Sequence, residues 1–173
     1  MRKDALSIVE LIVVVVILGV LAAMAIPRFS QGAVNPGEAD LKTNLAVLRT
    51  AIEMYYHDHG AYPAQKPADT VAAEAGTAAA FIRQLTQHTD AGGYASPAPG
   101  DTFCYGPYLQ NGVPPCPVSA QRRSARIHLI AGDAVPAYDQ TVAEAGWVYN
   151  YETGYIAANA PGEDTQGVRY DSY

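Results

Sequence analysis

The amino-acid sequence predicts an α+β chain in which a long apolar N-terminal α-helix forms a stem. The stem carries a small globular head with a short helix and a C-terminal antiparallel β-sheet. Three observations lead there. Every residue from Leu11 to Ile26 is apolar or glycine. Leu41, Leu45, Leu48, Ile52 and Tyr55 then recur at alternating four- and three-residue spacings, the signature of one buried helix face. Towards the end, Gly146 to Tyr151 and Tyr155 to Ala158 flank Glu152-Thr153-Gly154, a strand, turn and strand. At 173 residues the chain has the length of one domain.

The first element sets the class. Leu6 to Ile26, at ~1.5 Å per helical residue, reaches about 31 Å, enough to cross a bilayer core. Arg2 and Lys3 precede it and place the extreme N-terminus in the cytoplasm. Glu10 lies inside the span, where a carboxylate costs on the order of a few kcal/mol and ordinarily has a partner. Cleavage after Ala5 would create an α-amino group at Leu6, one turn from Glu10, able to pair with the Glu10 of an adjacent subunit. A carboxylate that protonates or snorkels to the membrane edge is the other reading. Ala23-Met24-Ala25 also satisfies the small-x-small pattern of a secretory signal. Cleavage after Ala25 would release a secreted soluble binding protein or enzyme. Glu10 at the mouth of the apolar region argues against that alternative, as does the helical pattern that resumes beyond Pro27.

Ala5-Leu6-Ser7-Ile8-Val9-Glu10-Leu11, with Val16-Ile17-Leu18-Gly19 and Ala25-Ile26-Pro27-Arg28-Phe29, resembles the signal and transmembrane helix of type IV pilins and type II secretion pseudopilins. The resemblance implies that a prepilin peptidase cuts between Ala5 and Leu6 and methylates the new amine. It makes Glu10 the residue of subunit register, and Gly19 and Pro27 the bracket of a stretch that can lose helicity. The family usually has Gly before the cut and Phe or Met after it, and Asp4 is atypical in the leader. A structural subunit is implied, not an enzyme: a single-pass precursor in the inner membrane, then a helical homo-oligomer as a periplasmic or extracellular filament. The implied partners are the peptidase, an assembly platform and minor pilins. The expected divisions are a leader at 1–5, a transmembrane and filament-core helix at 6–27, an amphipathic helix at 28–60 and a head at 61–173.

Pro27 removes a backbone donor and should kink the helix. Asn35-Pro36-Gly37-Glu38 reads as a second helix start, with Asn35 as cap and Glu38 three residues on. The helix is expected to stop at Gly60, with His57 and His59 at its negative end. Those histidines flank Asp58, but no further ligand stands nearby at a metal-binding spacing. Ala72 to Gln87 predicts a second helix, 91–100 a Gly/Pro-rich loop, and Ile127 to Ile130 a strand. Leu45 to Tyr55 with Gly60-Ala61-Tyr62-Pro63, Gly106-Pro107-Tyr108-Leu109, and Gly146 to Asn150 resemble the head of the major pseudopilin of type II secretion.

Cys104 and Cys116 fit neither a redox motif nor a four-ligand zinc site. In an exported chain they predict a disulfide worth about 3 kcal/mol; two unpaired buried thiols are the alternative. A net charge of −6 repels phosphates, so no nucleic acid partner is expected. Arg122, Arg123 and Arg126 read as a solvated patch or as salt-bridge donors. No nucleophile elbow, Walker loop, zincin or EF-hand pattern occurs. Major pseudopilins often bind calcium in a C-terminal loop, and by that resemblance Glu163, Asp164 and Asp171 are candidate oxygen ligands. A solvated acidic tail is the alternative.

Overall fold

The computed structural model describes residues 8–18, 36–69, 73–119 and 123–173. Ala5, Leu6, Gly19 and Pro27 lie outside them, as do Arg2, Lys3, Asn35 and Arg122. The chain divides into two units, Met1–Asn35 and Pro36–Tyr173. In the first, residues 8–18 form helix α1. No helix among the described residues is long and apolar enough to cross a membrane, and the rest of the expected span lies outside the described residues.

The second unit is the head. Helix α2, Pro36–His59, buries Leu41, Leu45, Leu48, Ile52 and Tyr55, the stripe seen in the sequence, together with Ala51. Removing each large apolar side chain from water stabilises by roughly 1.5–3 kcal/mol. Gly60 ends the helix at φ 62°, and its N–H donates to Tyr56 O at 2.8 Å. A left-handed residue is cheapest as glycine, which is why the helix stops there. The residues that flank the stripe are also engaged: Asn44 donates to Pro115 O, and Arg49 to Ile156 O and Tyr173 O. The expected cap at Asn35 lies outside the described residues; Glu38 accepts hydrogen bonds from Thr165 and Tyr170.

Helix α3, Ala78–Thr86, is shorter than the predicted 72–87. Gly76 at φ 73° breaks the chain just before it, and the Thr77 hydroxyl caps it by accepting from Ala80 N. Its inner face places Phe81, Gln84 and Leu85 against the core. Phe81 meets the ring of Tyr149 at 4.5 Å.

Five short strands follow: β1 His88–Thr89, β2 Ala95–Ser96, β3 Ile127–Ile130, β4 Trp147–Asn150 and β5 Ile156–Ala158. The hairpin β1–β2 sits in a region that reads from sequence as loop, because two-residue strands carry no periodicity. The other sheet has order β3-β4-β5 and is mixed, which corrects the antiparallel expectation. β4 and β5 pair antiparallel through the expected turn, but β3 lies parallel to β4, with Ile127 opposite Trp147. The connection 131–146 is long enough for the crossover that parallel pairing requires.

Three buried amides lock the loops to this frame. Gln84 accepts from Ala64 N at 2.7 Å and donates to the carbonyls of Lys66 and Gly93. Asn150 donates to Gly132 O and Ala134 O and accepts from the N–H groups of Glu152 and Thr153. Asn159 donates to Val142 O and Ala145 O and accepts from Asp139 N. Each amide thereby satisfies several loop backbone groups that would be costly to leave unpaired. Trp147, fully buried, donates its indole N–H to Pro114 O at 2.8 Å. Tyr149 donates to Pro63 O, and burial raises its phenol pKa.

The expected Cys104–Cys116 disulfide is not formed: both thiols are free. Cys116 belongs to the core, its N–H donating to Ser124 O at 2.8 Å, while Cys104 lies exposed on the surface loop. Burial raises the Cys116 thiol pKa and keeps it from the reactive thiolate form.

Candidate functional site

Two features of the chain present interaction chemistry, one in each unit. On α1 every side chain from Ile8 to Leu18 is exposed. The least covered is Ile8 at 77% and the most covered Val14 at 48%. Four consecutive valines, Val13 to Val16, are mediocre helix formers in water. A helix of this composition is stabilised by surroundings as apolar as itself, lipid or other helices. Glu10 is the ionisable side chain among the described residues of α1. An exposed apolar surface of this continuity marks an interaction site.

In the head, the segment 161–173 folds back on the start of α2 around three shielded carboxylates. Asp164 accepts from Gln166 N at 2.7 Å and Val168 N at 2.9 Å through Oδ1, and from the Tyr173 hydroxyl through Oδ2. Lys42 Nζ stands 3.8 Å from the same Oδ2 and 4.5 Å from the centre of the Tyr173 ring. Asp171 takes a two-pronged contact from the Arg169 guanidinium and a third hydrogen bond from Tyr138 N at 3.0 Å. The Tyr173 hydroxyl and the loop N–H groups hold the Asp164 carboxyl below the usual carboxylate range, and Arg169 does the same for Asp171. Glu38, at the base of α2, completes the group. An open groove of about 890 Å³ runs beside it, lined by Arg49, Glu53, Val135, Tyr155, Ile156 and Tyr173.

The candidate calcium ligands do not converge. Glu163 is exposed, while Asp164 and Asp171 are committed to different donors. Among the described residues no group of three or more His, Cys, Asp or Glu is placed to hold a metal. His57 is exposed and touches its neighbour Asp58. His59 is buried at the end of α2, its Nδ1 3.0 Å from Tyr55 O and its Nε2 3.0 Å from Asp90 O. It stacks on the Tyr55 ring at 4.0 Å, a helix-end packing role. The sequence does not mark Lys42, Tyr138, Arg169 or Tyr173 as functional. The one signal it offers is a cation four residues beyond Glu38, ordinary on any helix.

An exposed apolar helix carrying Glu10, and an α+β head built on α2 and a small sheet, fit the class of structural subunits of type IV pilus-like assemblies. The sequence is similar to members of that class. It is 28% identical over 127 residues to type II secretion system core protein G of Klebsiella pneumoniae, covering 65% of this chain and 89% of that one. It is 36% identical over 66 residues to core protein G of Pseudomonas aeruginosa, covering 36% of this chain and 44% of the relative. Against the type IV major pilin protein PilA of Myxococcus xanthus, identity is 36% over 61 residues, which is 35% of this chain and 28% of the pilin's length. No protein-family model matches the chain, and no solved structure does.

Proposed function

We propose that the chain is a structural subunit of a type IV pilus-like filament or a type II secretion pseudopilus, made as a membrane-anchored precursor. Arg2 and Lys3 hold its start in the cytoplasm while the apolar segment crosses the inner membrane and the head folds outside. Prepilin peptidase then cuts between Ala5 and Leu6 and methylates the new amine. An assembly platform and minor pilins draw the subunit into a helical homo-oligomer whose core is built from these helices. The role is structural, and the subunit catalyses no reaction.

The observation that carries the reading is the exposure of every side chain over residues 8–18, all of them apolar except Glu10. Such a surface is stable only in lipid or against its own kind. In either setting the Glu10 carboxylate needs a partner, and the amine of Leu6 on a neighbouring subunit supplies one. Gly19 and Pro27 bracket the stretch whose helix loosens as the subunit leaves the membrane. The relatives support a head of the core protein G kind.

Glu10→Leu tests the pairing directly. Membrane insertion of the precursor should be unchanged, because an apolar side chain only favours the bilayer. Filament yield in sheared fractions should fall at least tenfold. Wild-type filament levels from the Glu10→Leu variant would remove the register role from Glu10.

A further inference from the structure

We infer that the head needs no calcium, because Lys42, which joins the segment 161–173 to the first turns of α2, and Arg169, which folds that segment on itself, take the place of a metal. The carboxylate cluster alone carries this, independently of how the subunit assembles.

The carboxylates are close to saturated by the chain's own donors. A carboxylate offers about four lone-pair sites. Asp164 spends three of them on Gln166 N, Val168 N and the Tyr173 hydroxyl, and meets Lys42 besides. Asp171 spends three on Arg169 Nε, Arg169 Nη2 and Tyr138 N. Their side chains are 2% and 5% exposed, so these donors, and not water, set the charge balance. Calcium takes six to eight oxygens at roughly 2.3–2.6 Å. To gather them here it would have to displace a guanidinium, an ammonium, a tyrosine hydroxyl and three loop N–H groups at once.

The same contacts do the mechanical work of a bound ion. Lys42 and Glu38 belong to α2, whereas Asp164, Thr165, Tyr170 and Tyr173 belong to the C-terminal segment. Lys42 to Asp164, Thr165 and Tyr170 to Glu38, and the Lys42 ammonium over the Tyr173 ring therefore tie the two together. Arg169 folds the segment on itself by gripping Asp171, which in turn holds Tyr138 N on the loop before β4. Arg49 adds a contact from α2 to Tyr173 O. A metal-bound loop would lose this join on chelation; a cation of the chain itself cannot be removed by a chelator.

The test is thermal unfolding of the full chain in detergent solution, followed by circular dichroism, with a calcium chelator and again with millimolar calcium. The same Tm is expected in both, with no heat of binding when calcium is titrated into the chelator-treated protein. A Tm that rises with calcium, as linkage demands for any ligand of the native state, would overturn the inference. In parallel, Lys42→Gln combined with Arg169→Gln should lower the Tm by several degrees and speed proteolytic trimming of the C-terminal segment, whereas Arg169→Lys should restore part of the loss. A double variant with wild-type Tm and trimming rate would also overturn it. Should the double variant fail to fold, the wild-type comparison still decides.

Discussion

Gly146→Ala is expected to unfold the head. A Cβ built on this residue falls 1.9 Å from Ser124 O and 2.8 Å from Ser124 C, with the Cys116 Cβ at 3.1 Å. The first two are backbone atoms, and the strand cannot retreat from them. Gly146 N is held by Arg126 O, and Gly146 O by Asn159 N, both at 2.8 Å. Moving the backbone would break these bonds and shift β4, which carries the fully buried Trp147 and Tyr149. A loss of about 4 kcal/mol or more follows, in the range reserved for severe core lesions and close to a domain's whole stability. Urea unfolding of the full chain in a compatible detergent would measure it. A midpoint within error of wild type would show that the close approach of the 124 and 146 segments is not rigid in solution.

Val14→Asp should abolish assembly and spare the head. The side chain lies among four valines in the middle of α1, in a helix whose described surface is exposed and apolar. A second carboxylate there costs on the order of 3 kcal/mol in a bilayer or a helix bundle. That is roughly a hundredfold in any equilibrium the segment enters. Glu10 has a proposed partner, but the new aspartate has none. The head, a separate unit from Pro36 onward, should keep its Tm. Filaments at wild-type yield would show that α1 does not form the packed core.

The parts of this molecule that a sequence reader can see are those governed by local periodicity. The stripe Leu41 to Tyr55 and the stop at Gly60 are written in spacing and in one left-handed glycine, and both are in the structure. The hairpin across Glu152-Thr153-Gly154 is equally local. What stays hidden depends on residues far apart. β3 pairs parallel to β4 only because the crossover 131–146 carries the chain back, and no local pattern encodes that direction. β4 and β5 are buried on both faces, so the usual alternation is missing. The cysteines look like a pair by count, yet the bridge of Cys116 to Ser124 sends one into the core and leaves the other at the surface.

The acidic tail shows the same limit from the side of chemistry. Counting Glu163, Asp164 and Asp171 suggests an oxygen site, but whether carboxylates gather a metal depends on who else donates to them. Lys42, Tyr138 and the pair Arg169 and Tyr173 answer that from three separate places in the sequence. The buried amides Gln84, Asn150 and Asn159 are silent for a related reason. An amide in a sequence carries no mark of the carbonyls it will face.

In the proposed function the apolar N-terminal segment stays with the protein and holds it in a filament. Intact mass and sedimentation of the protein recovered from cells that express it with a prepilin peptidase test this most directly. A chain beginning at N-methylated Leu6 that pellets with filaments is expected. A chain beginning at Ile26 that stays monomeric in detergent-free buffer would contradict it.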